Sequence, residues 1–239
     1  MAGAPYLMPF VLPVAAVEPE RSGTVDLYAP DTVPAPAILF VHGGPIPAEL
    51  RPTPREWPVY RGYGAAAAAR GAVGATVDHR LYGPAEFPTA AADVAAAVDQ
   101  LRADPRVDAD RVALWFFSGG GLLSADWLRE PPPWLRCLAL TYPVLGSRPG
   151  RPIDERFDVT DALSGAGELS IVLTRVGLEG PDTAATVATF VNAARASGLR
   201  LAIVDAPDGQ HGFDHLDHTD ESRDAVERAL AAVLGALTG

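Results

Sequence analysis

The window Val112-Ala113-Leu114-Trp115-Phe116-Phe117-Ser118-Gly119-Gly120-Gly121-Leu122-Leu123 constrains this chain more than any other. An apolar run of strand-forming type stops at one serine, three glycines follow at once, and a helix-compatible run over 122–128 comes next. Such a run fits a strand covered on both faces of a parallel sheet. So tight a turn from strand to helix drives its central residue into sparsely allowed backbone space, and side chains on its neighbours would collide with the adjacent strand or helix. The window predicts a serine at the top of a central strand with its hydroxyl pushed outward. A strand-to-helix turn capped by an ordinary serine satisfies the same window.

The rest of the chain alternates strands and helices around it. A lead-in segment at 6–17 and a polar turn at 18–21 precede an edge strand at 22–28. Further strands are expected at 37–41, 73–78, 135–144, 169–176 and 201–204, and helices at 60–70, 89–103, 183–196 and 222–237. Ala92, Val94, Val98 and Leu101, with Asp93, Asp99 and Arg102 between them, give the second helix its apolar stripe. This alternation implies an α/β fold with a mainly parallel sheet and right-handed crossovers. Residues 146–168, rich in Gly, Pro, Asp and Arg, read as an irregular loop or small lid over the mouth of a site. At 239 residues and 48% hydrophobic content, the whole chain, 1–239, is expected to be one domain.

Charge and cysteine content narrow the function classes. The formal net charge is −11, positive charge is carried by arginine alone, and no basic block occurs. Nucleic acids and anionic membranes need a basic field, so neither is an expected partner. Cys137 is the only cysteine and lies in an apolar run, which excludes an intrachain disulfide and points to a buried, inert thiol. The first sixteen residues lack a basic start and are broken by Pro5, Pro9 and Pro13, a poor leader, and no apolar run is long enough to span a membrane. A cytoplasmic protein is the expectation.

Three further motifs bear on chemistry. His42-Gly43-Gly44-Pro45 follows the strand at 37–41, Glu179 follows the strand ending near 176, and Gly209-Gln210-His211-Gly212-Phe213 follows the last strand. A serine hydroxyl is a weak nucleophile, and it needs a base within hydrogen-bond reach and a third group to orient that base. Phe116-Phe117-Ser118-Gly119-Gly120 resembles the G-x-S-x-G nucleophile elbow of the α/β-hydrolase fold, with Phe116 where the motif has a small residue. The histidine window resembles that of dienelactone-hydrolase-like enzymes and related carboxylesterases. The His-Gly-Gly run resembles the oxyanion loop of the family.

That resemblance spans nearly the whole chain and implies an α/β-hydrolase with helices on both faces of the sheet and no large cap domain. It implies Ser118 as nucleophile, His211 as base and Glu179 as orienting acid, with Asp182 as the alternative acid or a helix cap. The oxyanion donors would be the N–H groups of Gly119 and of Gly43 or Gly44, with Gly44 preferred, since Pro45 has no N–H to give. Trp57 and Tyr60 are expected to bind substrate, although aromatic residues at this spacing also serve packing alone. His42 and the Asp78-His79-Arg80 run are expected to shape loops.

The implied activity is hydrolysis of a small to medium ester, thioester or lactone, a small-molecule substrate, without metal or organic cofactor. Rival readings are a non-catalytic binding module, in which Phe116 pulls Ser118 away from His211, a peptidase of related fold, and a metal hydrolase using His211, Asp214, His215 and His218. If the elbow survives Phe116, a compensating small residue is expected on a neighbouring strand or helix.

Overall fold

Residues 112–117 carry no charged side chain, and the sheet swallows them whole. In the computed structural model, which describes residues 4–238, they form the second half of β5 (Val107–Phe117), and each is fully buried. Residues 1–3, the start of the weighed leader, and Gly239, the end of the expected domain, lie outside the described residues. Side chains alternate across a strand. Val112, Leu114 and Phe116 therefore enter one apolar layer, and Ala113, Trp115 and Phe117 enter the other. The single polar atom in this run, Trp115 Nε1, donates to Thr141 Oγ1 at 2.8 Å.

β5 is flanked by β3 (Ala35–Val41) and β6 (Leu135–Thr141), both parallel to it, with Leu39 opposite Leu114 and Val41 opposite Phe116. Outward on one side lie β4 (Val73–Val77), β2 (Val25–Tyr28) and β1 (Glu20–Ser22), and on the other β7 (Ser170–Val176) and β8 (Leu201–Ala206). The order is β1-β2-β4-β3-β5-β6-β7-β8; only the β1/β2 and β2/β4 pairings are antiparallel. Parallel strands end on the same edge, so the segments after β3, β5, β7 and β8 converge there.

Two helices cover one face: α1 (Pro58–Ala68) and α7 (Asp220–Thr238), packed on Phe40, Trp115 and Phe117. The opposite face is covered by α2 (Phe87–Arg102), the short α3 (Ala125–Arg129) and α4 (Val159–Ala162), and α5 (Pro181–Ala196), over Leu39, Leu114 and Leu138. A last short helix, α6 (Phe213–Leu216), follows the histidine loop. The α/β class, the mainly parallel sheet and the helices on both faces match the sequence reading.

Several boundaries differ for physical reasons. The turn expected at 18–21 falls at residues 23–24, where Gly23 takes a φ of +56°, so Glu20–Ser22 joins the sheet. Asp108-Ala109-Asp110, read as a turn, lies inside β5, where the register shifts opposite Ala35 and Ala37 of β3. After the serine the chain winds as a tight 3-10 turn over Ser118–Ser124 before α3 begins, in place of one helix over 122–128. The segment 146–168 is not irregular throughout: Asp158 caps α4, and Phe157, Val159, Ala162, Leu163 and Ala166 sink into the core. Its longest exposed stretch is residues 147–156, and Asp161, Ser164, Gly167 and Glu168 are exposed between the buried positions.

α1 lies against β4 at a glycine crossing. A Cβ at Gly74 would run into the backbone of Gly64, including its carbonyl oxygen, which no side-chain adjustment can relieve. Overpacking of this kind typically costs about 1–3 kcal/mol. Gly74→Ala is expected to lower stability by at least that much, read as a lowered urea midpoint with unchanged m-value. An unchanged midpoint would mean that α1 can move off the sheet freely.

Candidate active site

The polypeptide leaves β5 through Ser118, whose φ of +51° is a left-handed conformation rare for a residue with a side chain. Two glycines make the position tenable. A Cβ on Gly119 would strike the carbonyl oxygen of Gly44, and one on Gly120 would strike that of His42. The loop after β3 thus rests directly on the turn after β5, and the three-glycine run is the sequence signature of that contact.

Phe116, two residues before the serine, is fully buried among Leu114, Leu122 and Leu123. Its partners in register are Val41 and Leu140, so neither neighbouring strand supplies a small residue opposite it, while the helices of that layer bring Ala90, Ala91 and Ala125 into the same core. Phe116 points into the α2 and α5 layer, whereas Tyr142, whose ring lies against His211, belongs to the other. The displacement of Ser118 that Phe116 was weighed as causing does not occur: Ser118 Oγ lies 2.7 Å from His211 Nε2.

His211 sits in the loop between β8 and α6, and its Nδ1 lies 2.6 Å from Glu179 Oε2. With the Nδ1 proton donated to the carboxylate, Nε2 is left to accept from the serine hydroxyl. The other oxygen, Glu179 Oε1, accepts the Gly180 N–H at 2.8 Å. Burial pushes this carboxyl up, but the His211 hydrogen bond and charge, the Gly180 N–H and the Arg148 charge outweigh it and hold Glu179 below the usual glutamate range. Asp182 is exposed on the first turn of α5, away from the imidazole's hydrogen bonds.

The loop after β3 orients its amides through two side chains. Gly43 N–H donates to Tyr60 Oη at 3.3 Å, and Gly43 O accepts from His42 Nδ1 at 2.5 Å. Gly44 N–H, on the far side of the peptide whose carbonyl His42 holds, has no hydrogen-bond partner among the described residues. Gly119 N–H belongs to the first turn after β5, where amides have no intrahelical acceptor. A cavity of about 690 Å³ opens beside Gly44 and Gly119, walled by Pro45, Phe87, Leu122 and Phe157, with Arg148 and Arg151 on its rim.

Trp57 and Tyr60 lie elsewhere. Trp57 Nε1 donates to Pro52 O and its ring packs on Tyr6, while Tyr60 is buried behind the glycine loop on the α1 face of the sheet. Neither lines that cavity: both pack in the α1-side layer, and the cavity opens on the opposite one. Tyr60 reaches the site only through Gly43.

Sequence reasoning missed a buried polar cluster behind the imidazole. Tyr142, at a φ of +36° just after β6, sets its ring 4.7 Å from that of His211. Its hydroxyl donates to Asp214 at 2.9 Å, as does that of Tyr63 at 3.1 Å, and the fully buried Asp214 also meets His215 Nδ1 at 3.0 Å. Burial and the Asp214 charge push both phenols well above the usual tyrosine value. No sequence signal marks this cluster, since its members lie far apart in the chain. Asp214 and His215 are thereby engaged with tyrosines and each other, and no group of three or more His, Cys, Asp or Glu side chains is placed to hold a metal ion among the described residues. Cys137 is buried, and its thiol is pushed up to about 12.

A family model described as BD-FAE matches residues 25–126, less than half of the chain. No curated protein is significantly similar to the sequence. Among solved structures, Thermogutta terrifontis esterase 2 phosphoramylated by tabun is similar over 90% of this chain and 88% of its own, with 21% identity and a TM-score of 0.68. The thermostable carboxylesterase EstE1, cloned from a metagenomic library, is similar over 95% and 92%, with 19% identity and a TM-score of 0.73. Porphyromonas gingivalis dipeptidyl peptidase 4 is similar over 88% of this chain and 33% of its own, with 16% identity and a TM-score of 0.64. These likenesses show that the chain has the α/β-hydrolase fold.

His42 and His79 stack 3.7 Å apart beneath the glycine loop, with His79 N–H donating to His42 Nε2 and His79 Nε2 donating to His42 O. Burial lowers His42 to about 4, and burial with the adjacent His42 lowers His79 well below its ordinary value. Between pH 6.5 and 4 the unfolded chain therefore binds more protons at these sites, so their contribution to stability is present above 6.5 and lost as pH falls towards 4. For His42 alone the loss is on the order of 3 kcal/mol. Urea titrations should show His42→Asn losing less stability than the parent between pH 7 and 4.5; equal losses would remove the histidine pair as the cause.

Proposed function

We propose that this α/β-hydrolase-fold chain is a serine hydrolase that cleaves a small to medium carboxylic ester, thioester or lactone through an acyl-serine intermediate. The observation that carries the reading is the hydrogen-bond series from Glu179 through His211 to Ser118, at 2.6 and 2.7 Å, beside two unengaged amides. In this reading Ser118 Oγ attacks the substrate carbonyl carbon while its proton passes to His211 Nε2. The carbonyl oxygen becomes an oxyanion and accepts from Gly44 and Gly119 N–H, each such donor being worth on the order of 3 kcal/mol of barrier.

Collapse of the tetrahedral species breaks the bond to the leaving alkoxide or thiolate, which takes the proton from Nε2. Water then repeats the sequence: His211 removes its proton, the hydroxyl adds to the acyl carbon, and the carboxylic acid leaves as Ser118 recovers its proton. Glu179 holds the Nδ1 tautomer and stabilises the imidazolium, and its lowered pKa keeps it ionised for that role. Asp182, exposed on the first turn of α5, takes no part. Esterases of the same fold, one of them phosphoramylated by tabun, support an organophosphorus-reactive serine as the first thing to seek. The peptidase alternative has weaker support, because the chain spans only a third of the length of the dipeptidyl peptidase it resembles.

A fluorophosphonate probe tests this directly, as it reports an activated serine without knowledge of the substrate. The intact protein should label stoichiometrically, and Ser118→Ala and His211→Ala should not. Glu179→Gln should lower the rate by on the order of 10³–10⁴, whereas Asp182→Asn should stay within about twofold. Well-folded protein that does not label would favour the binding-module alternative, and loss of labelling in Asp182→Asn would reassign the acid.

A further inference from the structure

We infer that the cavity beside Gly44 and Gly119 takes an ester bearing one carboxylate, such as a half-ester of a dicarboxylic acid, with Arg148 and Arg151 receiving the charge. The inference rests on the serine-hydrolase reading and specifies its substrate class. Its starting point is how this acidic chain spends its arginines. Most end on carboxylates: Arg80 on Asp93, Arg55 on Asp78, Arg156 on Asp126. Six arginines make no ion pair among the described residues, Arg51, Arg102, Arg136, Arg148, Arg151 and Arg195, and of these only Arg148 and Arg151 line the cavity.

Both sit on one built feature. Arg148 N–H donates to Arg151 O and Arg151 N–H to Arg148 O, at 3.2 and 2.8 Å, closing a two-way bridge around Pro149 and Gly150 that presents the two side chains together. Arg148 is half-buried, and its Nη1 donates to Thr183 Oγ1 at 3.2 Å, which anchors it to α5. Its charge is felt at Glu179, so it stands close to the proposed catalytic series. Asp154 is the one carboxylate on the cavity lining, and its side chain is turned to cap the Arg156 N–H at 2.9 Å.

The cavity joins these arginines to the proposed oxyanion amides. At about 690 Å³ it has room for a chain of several carbons, and its walls are apolar side chains such as Phe87, Leu122, Ile153 and Phe157. A substrate whose reacting carbonyl lies at Gly44 and Gly119 would run along an apolar wall and end at two guanidinium groups. Planar forks with parallel N–H donors match a carboxylate well. The overall negative field disfavours a dianion more than a monoanion, which makes a carboxylate a better fit than a phosphate monoester.

The test compares two matched substrates, the p-nitrophenyl half-ester of glutaric acid and its neutral methyl ester, assayed with the intact protein, Arg151→Gln, Arg148→Gln and the double variant, alongside fluorophosphonate labelling. Expected is a kcat/KM at least tenfold higher for the anionic ester in the parent, with the anionic-to-neutral ratio falling about tenfold in Arg151→Gln and further in the double variant. Taking the ratio cancels any effect of Arg148 on Glu179. Three results would overturn the inference while leaving the hydrolase reading intact: no preference for the anionic ester, a preference untouched by both substitutions, or turnover of neither ester by protein that labels. Absence of labelling would instead remove both together.

Discussion

Everything in this molecule that could do chemistry depends on one close backbone contact, between the glycine loop after β3 and the tight turn after β5. The carbonyl oxygens of His42 and Gly44 occupy the space that side chains on Gly120 and Gly119 would fill. That contact holds Ser118 in its left-handed conformation, brings the Gly44 and Gly119 amides to the same small volume, and sets one end of the cavity. A methyl group at either glycine would have to push two adjacent parallel strands apart at their ends, which the interleaved cores on both faces of the sheet resist.

The contact is braced from below on each side of the sheet. Under the glycine loop, the His42 and His79 rings stack while neutral, and Tyr60 takes the Gly43 amide, so the loop's donors are sorted before any ligand arrives. Under the histidine loop, the fully buried Asp214 gathers Tyr63, Tyr142 and His215. Leaving such a carboxylate unpaired would be costly. The cluster therefore ties the α1 helix, the end of β6 and the loop carrying His211 into one arrangement, with the Tyr142 ring against the imidazole.

The two faces of the sheet divide the work. The α1 and α7 face carries Tyr60, Tyr63 and Tyr142, which support the two loops from behind. The opposite face, covered by short helices α3 and α4 and the exposed stretch around 147–156, leaves the cavity open. This division explains why Trp57 and Tyr60, close to the glycine loop in sequence, stand behind it in space. Side chains alternate between the layers along each strand, whereas each helix covers only one of them, so nearness along the chain carries no information about which layer is hollow.

Much of this was legible from residue order. Continuous apolar runs ending in Ser118 and His42, and the glycines beside them, follow from local sterics: the backbone can turn that sharply only where side chains are missing. Glu179 and His211 were visible as polar groups at the ends of later strands, because parallel strands must deliver their C-terminal ends to one edge. What the tertiary structure decided is what depends on distant partners. Glu179 meets the imidazole and Asp182 does not, because β7 ends short of α5 and the exposed first turn of that helix faces solvent. Phe116 is tolerated because its side chain enters the layer opposite that of Tyr142, whose ring lies against His211. Asp214 became part of a tyrosine cluster, and Arg148 and Arg151 came to line the cavity together without carboxylate partners, through contacts between segments far apart in sequence. Residue order governs what each short stretch can do with its own backbone; only the packed sheet determines which of those stretches meet.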